Sequence, residues 1–281
     1  MQISCVVVCY NQVKFIEEAI LSVVRQTRPP TEILVADDGS TDGSRELIQS
    51  LANSHPIIRP IFRERNLGVT MNRDQALRQT SGHFVTSLDG DDYFLPTKLE
   101  KECEAIERSG SLVAFSDLRV THMKGWTRYE SLAPFEALDT KARLRWLVSS
   151  RSHIPRDMLV AKDLHTRIGG YNLTIEYYED WDYKIRLAAE PGRWIHSGVE
   201  GVVHRLHGRP GKGLSRMPYH RHARWQLAVM DANKQLIRGH LGWATYYGII
   251  GRILARSTKW QLTEWGWQAH HRWRHMFPSD A

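Results

Sequence analysis

The sequence predicts an α/β protein: an open, mostly parallel, Rossmann-like sheet with helices on both faces, followed by a helical C-terminal extension. Two observations predict it. Over roughly the first 118 residues, apolar β-branched runs alternate with stretches of helical spacing, as in strand–helix–strand units. Each run is also followed by a polar cluster, and in such a sheet these clusters all fall outside the carboxyl ends of the strands.

The elements follow in order. "ISCVVVCY" reads as a strand, and the next helix sets Phe15, Ile16, Ala19, Ile20, Val23 and Val24 on one face before Pro29 and Pro30 stop it. "TEILVADD" is the second strand; Ser40, Thr41 and Asp42 offer N-caps for a helix through Leu47, Ile48 and Leu51. "IIRPIF", the helix "VTMNRDQALRQ" and the strand "HFVTSL" repeat the unit. Pro96 opens a helix carrying Leu99, Cys103 and Ile106, Gly110 closes it, and "SLVAFSDL" is a fifth strand. Residues 119–178 are irregular. "EYYEDWDYKIRLAAEPG" then gives a helix with Trp181, Ile185 and Ala188 on one side, and "RWIHS" and "EGVVHRL" read as two short strands with a turn between. From Pro218 onward the chain reads as helical, basic and rich in tryptophan, with Trp243, Trp260, Trp265, Trp267 and Trp273. The expected division is a main domain over 1–217, made of halves 1–118 and 119–217, and an extension over 218–281.

Composition narrows the class. The chain has 281 residues and a formal charge of +7, which suits anionic partners without choosing among them. No stretch reaches the length of a membrane span, and the first residues lack the basic start of a secretory signal. Cys5, Cys9 and Cys103 have no metal-ligand spacing and read as free core thiols, so a cytoplasmic setting is expected. No nucleic-acid-binding module is recognisable.

Two stretches carry the chemistry. "SLDGDD" sets Asp89, Asp91 and Asp92 at the end of a strand, where like charges cost free energy unless a cation offsets them. Oxygen ligands at this spacing suit magnesium or manganese; an acidic turn is the plainer alternative. "ADDGSTDGS" is either a turn with an N-cap, or an aspartate accepting from a base N–H beside a helix start that faces an anion. Neither a Gly-x-Gly-x-x-Gly fingerprint nor a Walker loop is present.

Taken together, "CVVVCYNQVKFIEEAILSVVRQT", "ILVADDGSTDGS", "RNLGVTMNRDQAL" and "SLDGDDYFLPTKLE" resemble the successive signatures of the family 2 glycosyltransferases, inverting enzymes with the GT-A fold. The resemblance covers about the first 110 residues. It implies a nucleotide-diphosphate-sugar donor, UDP being favoured as common in the family. It also implies a bound divalent cation, Mn2+ or Mg2+, and transfer to an acceptor hydroxyl with inversion. Carried over, it places Tyr10 against the base, Asp38 at the base N–H and Arg73 near the nucleotide or diphosphate. Asp89 and Asp91 become the Asp-x-Asp pair toward ribose and metal, extended by Asp92. Cys9 departs from the Pro or Thr usual before that tyrosine.

The same resemblance reaches further along. "YYEDWDYKIRLA" matches the family's Glu-Asp pair, with Asp180 as the general base, held ionised near a helix start, and Glu179 as an ordinary first-turn acid. In "VVHRLHGRPGKGLS", His207 aligns with a metal-ligating histidine, and His204 stands where an aromatic is usual. Arg209 and Lys212 are candidates to close over the diphosphate from a loop with Gly208, Gly211 and Gly213. "MLVAKDLHTRIGGYN" also resembles the family, in which a strand, a short helix and a Gly-Gly-aromatic precede the base; Gly169 and Gly170 suit a tight turn, and Tyr171 either borders the acceptor or packs.

The expected function is sugar transfer to a glycan or lipid-linked glycan in bacterial surface polysaccharide or glycoconjugate synthesis. The alternatives are a sugar nucleotidyltransferase, whose Gly-rich basic first loop is replaced here by "YNQVKF", and an inactive nucleotide-sugar-binding scaffold. The extension has three open uses: peripheral contact with the inner face of a membrane, a homodimer contact, or a cap.

Overall fold

The first strand, β1 (Ile3–Cys9), is buried at every position, as a strand covered on both faces must be. On one side it pairs in parallel with β2 (Glu32–Asp37), which pairs in parallel with β3 (Ile58–Phe62); on the other it pairs in parallel with β4 (Phe84–Asp89). The crossovers are α1 (Ile16–Val24), α2 (Ser44–Ser54) and α3 (Val69–Arg78). Helix α1 buries Ile16, Ala19, Ile20 and Val23, the stripe its spacing predicts. All four strands therefore exit at one edge.

Beyond β4 come β5 (Tyr93–Phe94), α4 (Lys98–Ser109), β6 (Val113–His122), β7 (Thr127–Glu130), α5 (Thr140–Ser149), β8 (Leu159–Ala161), α6 (Lys162–Arg167), α7 (Glu179–Ala189) and β9 (Trp194–Leu206). The sheet order is β3-β2-β1-β4-β8-β6-β9-β5, with β7 on β6. The fifth predicted strand, β6, does not lie beside β4. Short β8 is wedged between them, antiparallel to both, so the sheet is mixed rather than uniformly parallel. β6 also runs straight across position 118, the expected division between the two halves.

The two short strands expected after α7 are one 13-residue strand, β9, parallel to β6. Gly198, at φ 82°, takes up a register shift within the pairing instead of making a turn. Cys5, Cys9 and Cys103 are buried and free, and Cys103 packs with Ile3, Ile106, Ala114 and Leu159.

The structure, a computed structural model, describes residues 1–122, 125–149, 154–206 and 219–258. It divides into two compact units, Met1–Gly208 and Arg209–Ala281. The expected boundary at 217/218 lies outside the described residues, as do Trp260, Trp265, Trp267 and Trp273. The second unit holds α8 (Tyr219–Ala232), α9 (Lys234–Leu241) and a helical stretch over 243–258 that buries Tyr246, Ile249 and Ile253. Among the described residues no helix is long and apolar enough to cross a membrane.

One buried ion pair sits in the first unit. Lys98 Nζ lies 2.7 Å from Glu102 Oε2, both side chains are 0% exposed, and Ser116 Oγ donates to Glu102 Oε1 at 2.7 Å. Burial raises the Glu102 pKa against the pull of Lys98. Losing one partner strands a charge, whereas an apolar pair of similar volume removes the desolvation cost as well. Lys98→Met is therefore expected to cost about 3–5 kcal/mol in chemical denaturation, and Lys98→Met with Glu102→Leu to recover most of that loss.

Candidate functional site

The exits of the parallel strands are laced together by main-chain bonds. Asp38 N–H donates to Cys9 C=O at 2.9 Å, Gly90 N–H to Val8 C=O at 2.8 Å, and Arg63 N–H to Asp37 C=O at 2.9 Å. The loop after β1 is held by the loop after β2: Asn11, Gln12 and Val13 N–H groups donate to Ser40 Oγ, Ser44 Oγ and Asp42 Oδ2 at 2.8–3.0 Å. Ser40, Ser44 and Asp42 thus serve the neighbouring loop. Tyr10 follows β1 directly, and its ring is 45% exposed at this edge. Asp38 is buried, and its two oxygens accept from Leu67 and Gly68 N–H, each at 2.9 Å. It therefore fastens the "RNLG" loop, a task the sequence reading did not give it.

β4 delivers the aspartate cluster. Asp92 N–H donates to Asp89 C=O at 2.9 Å, closing a tight turn over Gly90. A Cβ on Gly90 would lie 2.7 Å from Val8 O, so the turn needs glycine for its close approach to β1. Ligand oxygens of Asp89, Asp91 and Asp92 all lie within 4.8 Å of one another.

Much of the compensation for this charge comes from the chain itself. Asp89 is paired with Arg73 Nη2, and with Arg156 Nη2 at 3.3 Å. Asp92, 1% exposed, faces Arg156 at 3.5 Å, bonds His204 Nδ1 at 2.9 Å and accepts Arg205 N–H at 2.8 Å. Burial works against the charged form of Asp92, but the His204 bond and Arg156 hold its carboxyl below the usual range. Asp92 thus ties β9 to the turn after β4.

Arg73 joins this cluster to the start of α7. Its Nη1 lies 3.1 Å from Glu179 Oε1, its guanidinium carbon lies 5.5 Å from the Tyr171 ring centre, and its side chain is 6% exposed. Tyr171 is stacked on Tyr183 at 4.6 Å, and its N–H donates to Asp74 Oδ1 at 2.9 Å, so it is a packing residue. The two acids at the head of α7 are driven apart. Burial pushes Glu179 up to about 7 in spite of Arg73. Burial also works upward on Asp180, but Lys184 Nζ at 2.9 Å, with Arg156 and Arg73 beyond, holds it at about 2. The Asp180 side chain is 44% exposed and that of Glu179 only 11%. Neighbouring acids with separated pKa values are a mark of divided acid–base roles. Here the reachable carboxylate is the ionised one.

The structure therefore brings Arg73, Asp89, Glu179 and Asp180 together, and places Asp38 and Tyr10 at the exits of β2 and β1 on the same edge. His207, Arg209, Lys212, Gly208, Gly211 and Gly213 lie outside the described residues. Sequence reasoning missed Arg156, Asp157 and Lys184, and gave Glu179 no task. β8 explains Arg156: being antiparallel, it begins where its parallel neighbours end, so the residues leading into it arrive at the site edge. Asp157 has φ 46°, its C=O accepts Thr86 Oγ1 of β4 at 2.9 Å, and burial pushes its carboxyl up to about 6. The one usable signal was the charge itself, since three adjacent carboxylates require cations from somewhere.

Hard oxygen donors this close fit a magnesium- or manganese-type cation. The fit rests on Asp91 and Asp89, because Asp92 is committed to His204 and Arg205.

Residues 4–174 match the family model described as glycosyl transferase family 2. The uncharacterized glycosyltransferase YwdF of Bacillus subtilis is 28% identical over 190 residues, 68% of this chain and 69% of that protein. A cholesterol galactosyltransferase of Borreliella burgdorferi is 31% identical over 134 residues, which are 48% of this chain and 37% of that protein. Among solved structures, S. aureus TarS 1-349 in complex with UDP-GlcNAc superposes with a TM-score of 0.69 at 22% identity, covering 90% of this chain and 72% of that one. That likeness carries the GT-A fold. The order of the strand-exit loops, the aspartate turn after β4 and the family match over more than half the chain lead to one assignment: the protein belongs to glycosyl transferase family 2.

Proposed function

We propose that the protein is an inverting glycosyltransferase that moves a sugar from a nucleoside-diphosphate donor, UDP-linked first among the candidates, to an acceptor hydroxyl. The observation that carries this reading is Asp180: a half-buried, ionised carboxylate that solvent still reaches, held beside the strand-exit aspartates by the Arg73–Glu179 link. TarS is described in complex with UDP and with UDP-GlcNAc, which supports a nucleotide-sugar donor on this fold.

In this mechanism Tyr10 packs on the base and Asp38 accepts its N–H, with the "RNLG" loop already fixed by the same carboxylate. Asp91 and Asp89 would hold a divalent cation, which when bound would offset the charge of the diphosphate. The acceptor oxygen attacks the anomeric carbon from the side opposite the diphosphate. Asp180 takes the hydroxyl proton as that bond forms, and the nucleoside diphosphate departs with the bonding electron pair. Lys184 keeps Asp180 ionised until then. Arg73, clamped between Asp89 and Glu179, fixes the distance between the donor carboxylates and the base. The acceptor we favour is a glycan or lipid-linked glycan of a bacterial surface polymer.

The second unit supports a peripheral contact with an anionic surface. Residues 209–281 carry twelve Lys or Arg against three Asp or Glu. Trp243, Tyr247 and Leu254 are 46%, 57% and 48% exposed and fall on one side of the helical stretch, away from buried Tyr246, Ile249 and Ile253.

Asp180→Asn is expected to lower transfer about 1,000-fold while leaving nucleotide affinity unchanged, and Asp91→Asn to weaken manganese-dependent UDP binding about tenfold or more. Transfer that survives in Asp180→Asn would remove the base from its role. In flotation, the protein is expected to rise with vesicles containing phosphatidylglycerol at low salt and not with pure phosphatidylcholine. A Trp243, Tyr247, Leu254 triple serine variant is expected to stay at the bottom.

Glu179 also sets a pH dependence of stability. Its pKa is raised on folding from 4.5 to about 7, so the folded state binds the extra proton and stability falls as pH rises through that interval. Glu179→Gln is expected to flatten the change in melting temperature between pH 5 and about 7; an unchanged slope would assign the proton elsewhere.

A further inference from the structure

We propose that Arg156 is a diphosphate-binding residue, whose guanidinium exchanges the carboxylate oxygens of Asp89 and Asp92 for the phosphate oxygens of the donor. The proposal rests on the reading of this site as one for a nucleoside-diphosphate sugar.

Two arginines share Asp89, and they are held differently. Arg73 is 6% exposed and fixed at both ends, by Asp89 and by Glu179. Arg156 is 25% exposed, and its contacts with acids are long: 3.3 Å to Asp89, 3.5 Å to Asp92 and 3.9 Å to Asp157. The first two run through the same Nη2. One nitrogen divided between two carboxylates makes no two-point fork with either, and the fork is the strong mode of a guanidinium. A phosphate offers that fork.

Charge balance points the same way. Asp92 keeps His204 and the Arg205 N–H whatever Arg156 does. Asp89 keeps Arg73, so both acids remain compensated when Arg156 turns away. A cation held by Asp91 and Asp89 would moreover repel a guanidinium left on Asp89, so filling that site favours the exchange. The backbone beside Arg156 stays put, because the Asp157 C=O is pinned by Thr86. The segment is anchored while the side chain is loosely held.

The test compares wild type, Arg156→Gln and Arg156→Lys in manganese buffer, after thermal melts show each to be folded. UDP, GDP and dTDP are titrated by calorimetry and the matching nucleosides by NMR. For the diphosphate that binds wild type, Arg156→Gln is expected to weaken affinity about 10- to 100-fold, the loss of a charge-assisted bond. Arg156→Lys should fall between, keeping the charge without the fork, and nucleoside affinity should change less than about twofold. Diphosphate affinity unchanged in Arg156→Gln would reduce Arg156 to a charge partner of the aspartates and overturn the proposal. Equal loss of nucleoside and diphosphate, or failure of both variants to fold, would assign Arg156 to holding the site together and overturn it too. Failure of all three diphosphates to bind wild type would bring down the donor reading itself, and this inference with it.

Discussion

The site depends on one guanidinium. Arg73 lies in α3, Asp89 ends the next strand, β4, and Glu179 opens α7 more than a hundred residues after Arg73, and the three elements meet at this side chain. Each ion pair at such range is worth about 4 kcal/mol before desolvation at an effective dielectric of about 20. With the side chain 6% exposed, that attraction also has to outweigh the cost of taking a guanidinium out of water. Two carboxylates facing one cation make the exchange favourable. Arg73 Nε, buried and without a hydrogen-bond partner, shows that the position of the fork is set by those acids. Remove the guanidinium and Asp89 loses its direct ion-pair link to Glu179.

Around that link the charges are graded by access. Asp92 is sealed and spends its oxygens on the backbone and imidazole of β9. Asp89 is intermediate, shared by two arginines. Asp180 is half-buried and kept charged by a lysine one helical turn away. The gradient in access runs from sealed to half-open without a change of residue type, and burial and partners set the charge state along it.

Most of the first 110 residues was legible because β1 to β4 each obey a short-range rule of apolar run and polar exit; two-residue β5, paired with β9, does not and was missed. The exits of β1, β2 and β4 followed from that pattern, and so did the family resemblance. The second half was less legible for equally physical reasons. β8, the strand of "MLVAKDLHTRIGGYN", is three residues long, and its place between β4 and β6, antiparallel to both, is something no local pattern announces. β9 was split in two because Gly198 looks like a turn and is a register shift. Arg156 sits in an irregular stretch, and only the antiparallel entry of β8 gives it a place. Glu179 looked like a first-turn acid, and its partner lies more than a hundred residues earlier.

The β8 wedge also decides which side chains can line such a site. A purely parallel sheet lines its ligand edge only with what leaves its strands, so each lining residue is tied to the helix that follows. An antiparallel insert adds residues that arrive, on a segment with no crossover helix of its own at that end. Its side chains can be exchanged without disturbing the loops after β1 and β2. The fold thus keeps the strand exits and the entry segment on separate pieces of chain, so that a change in one leaves the main-chain bonds of the other in place.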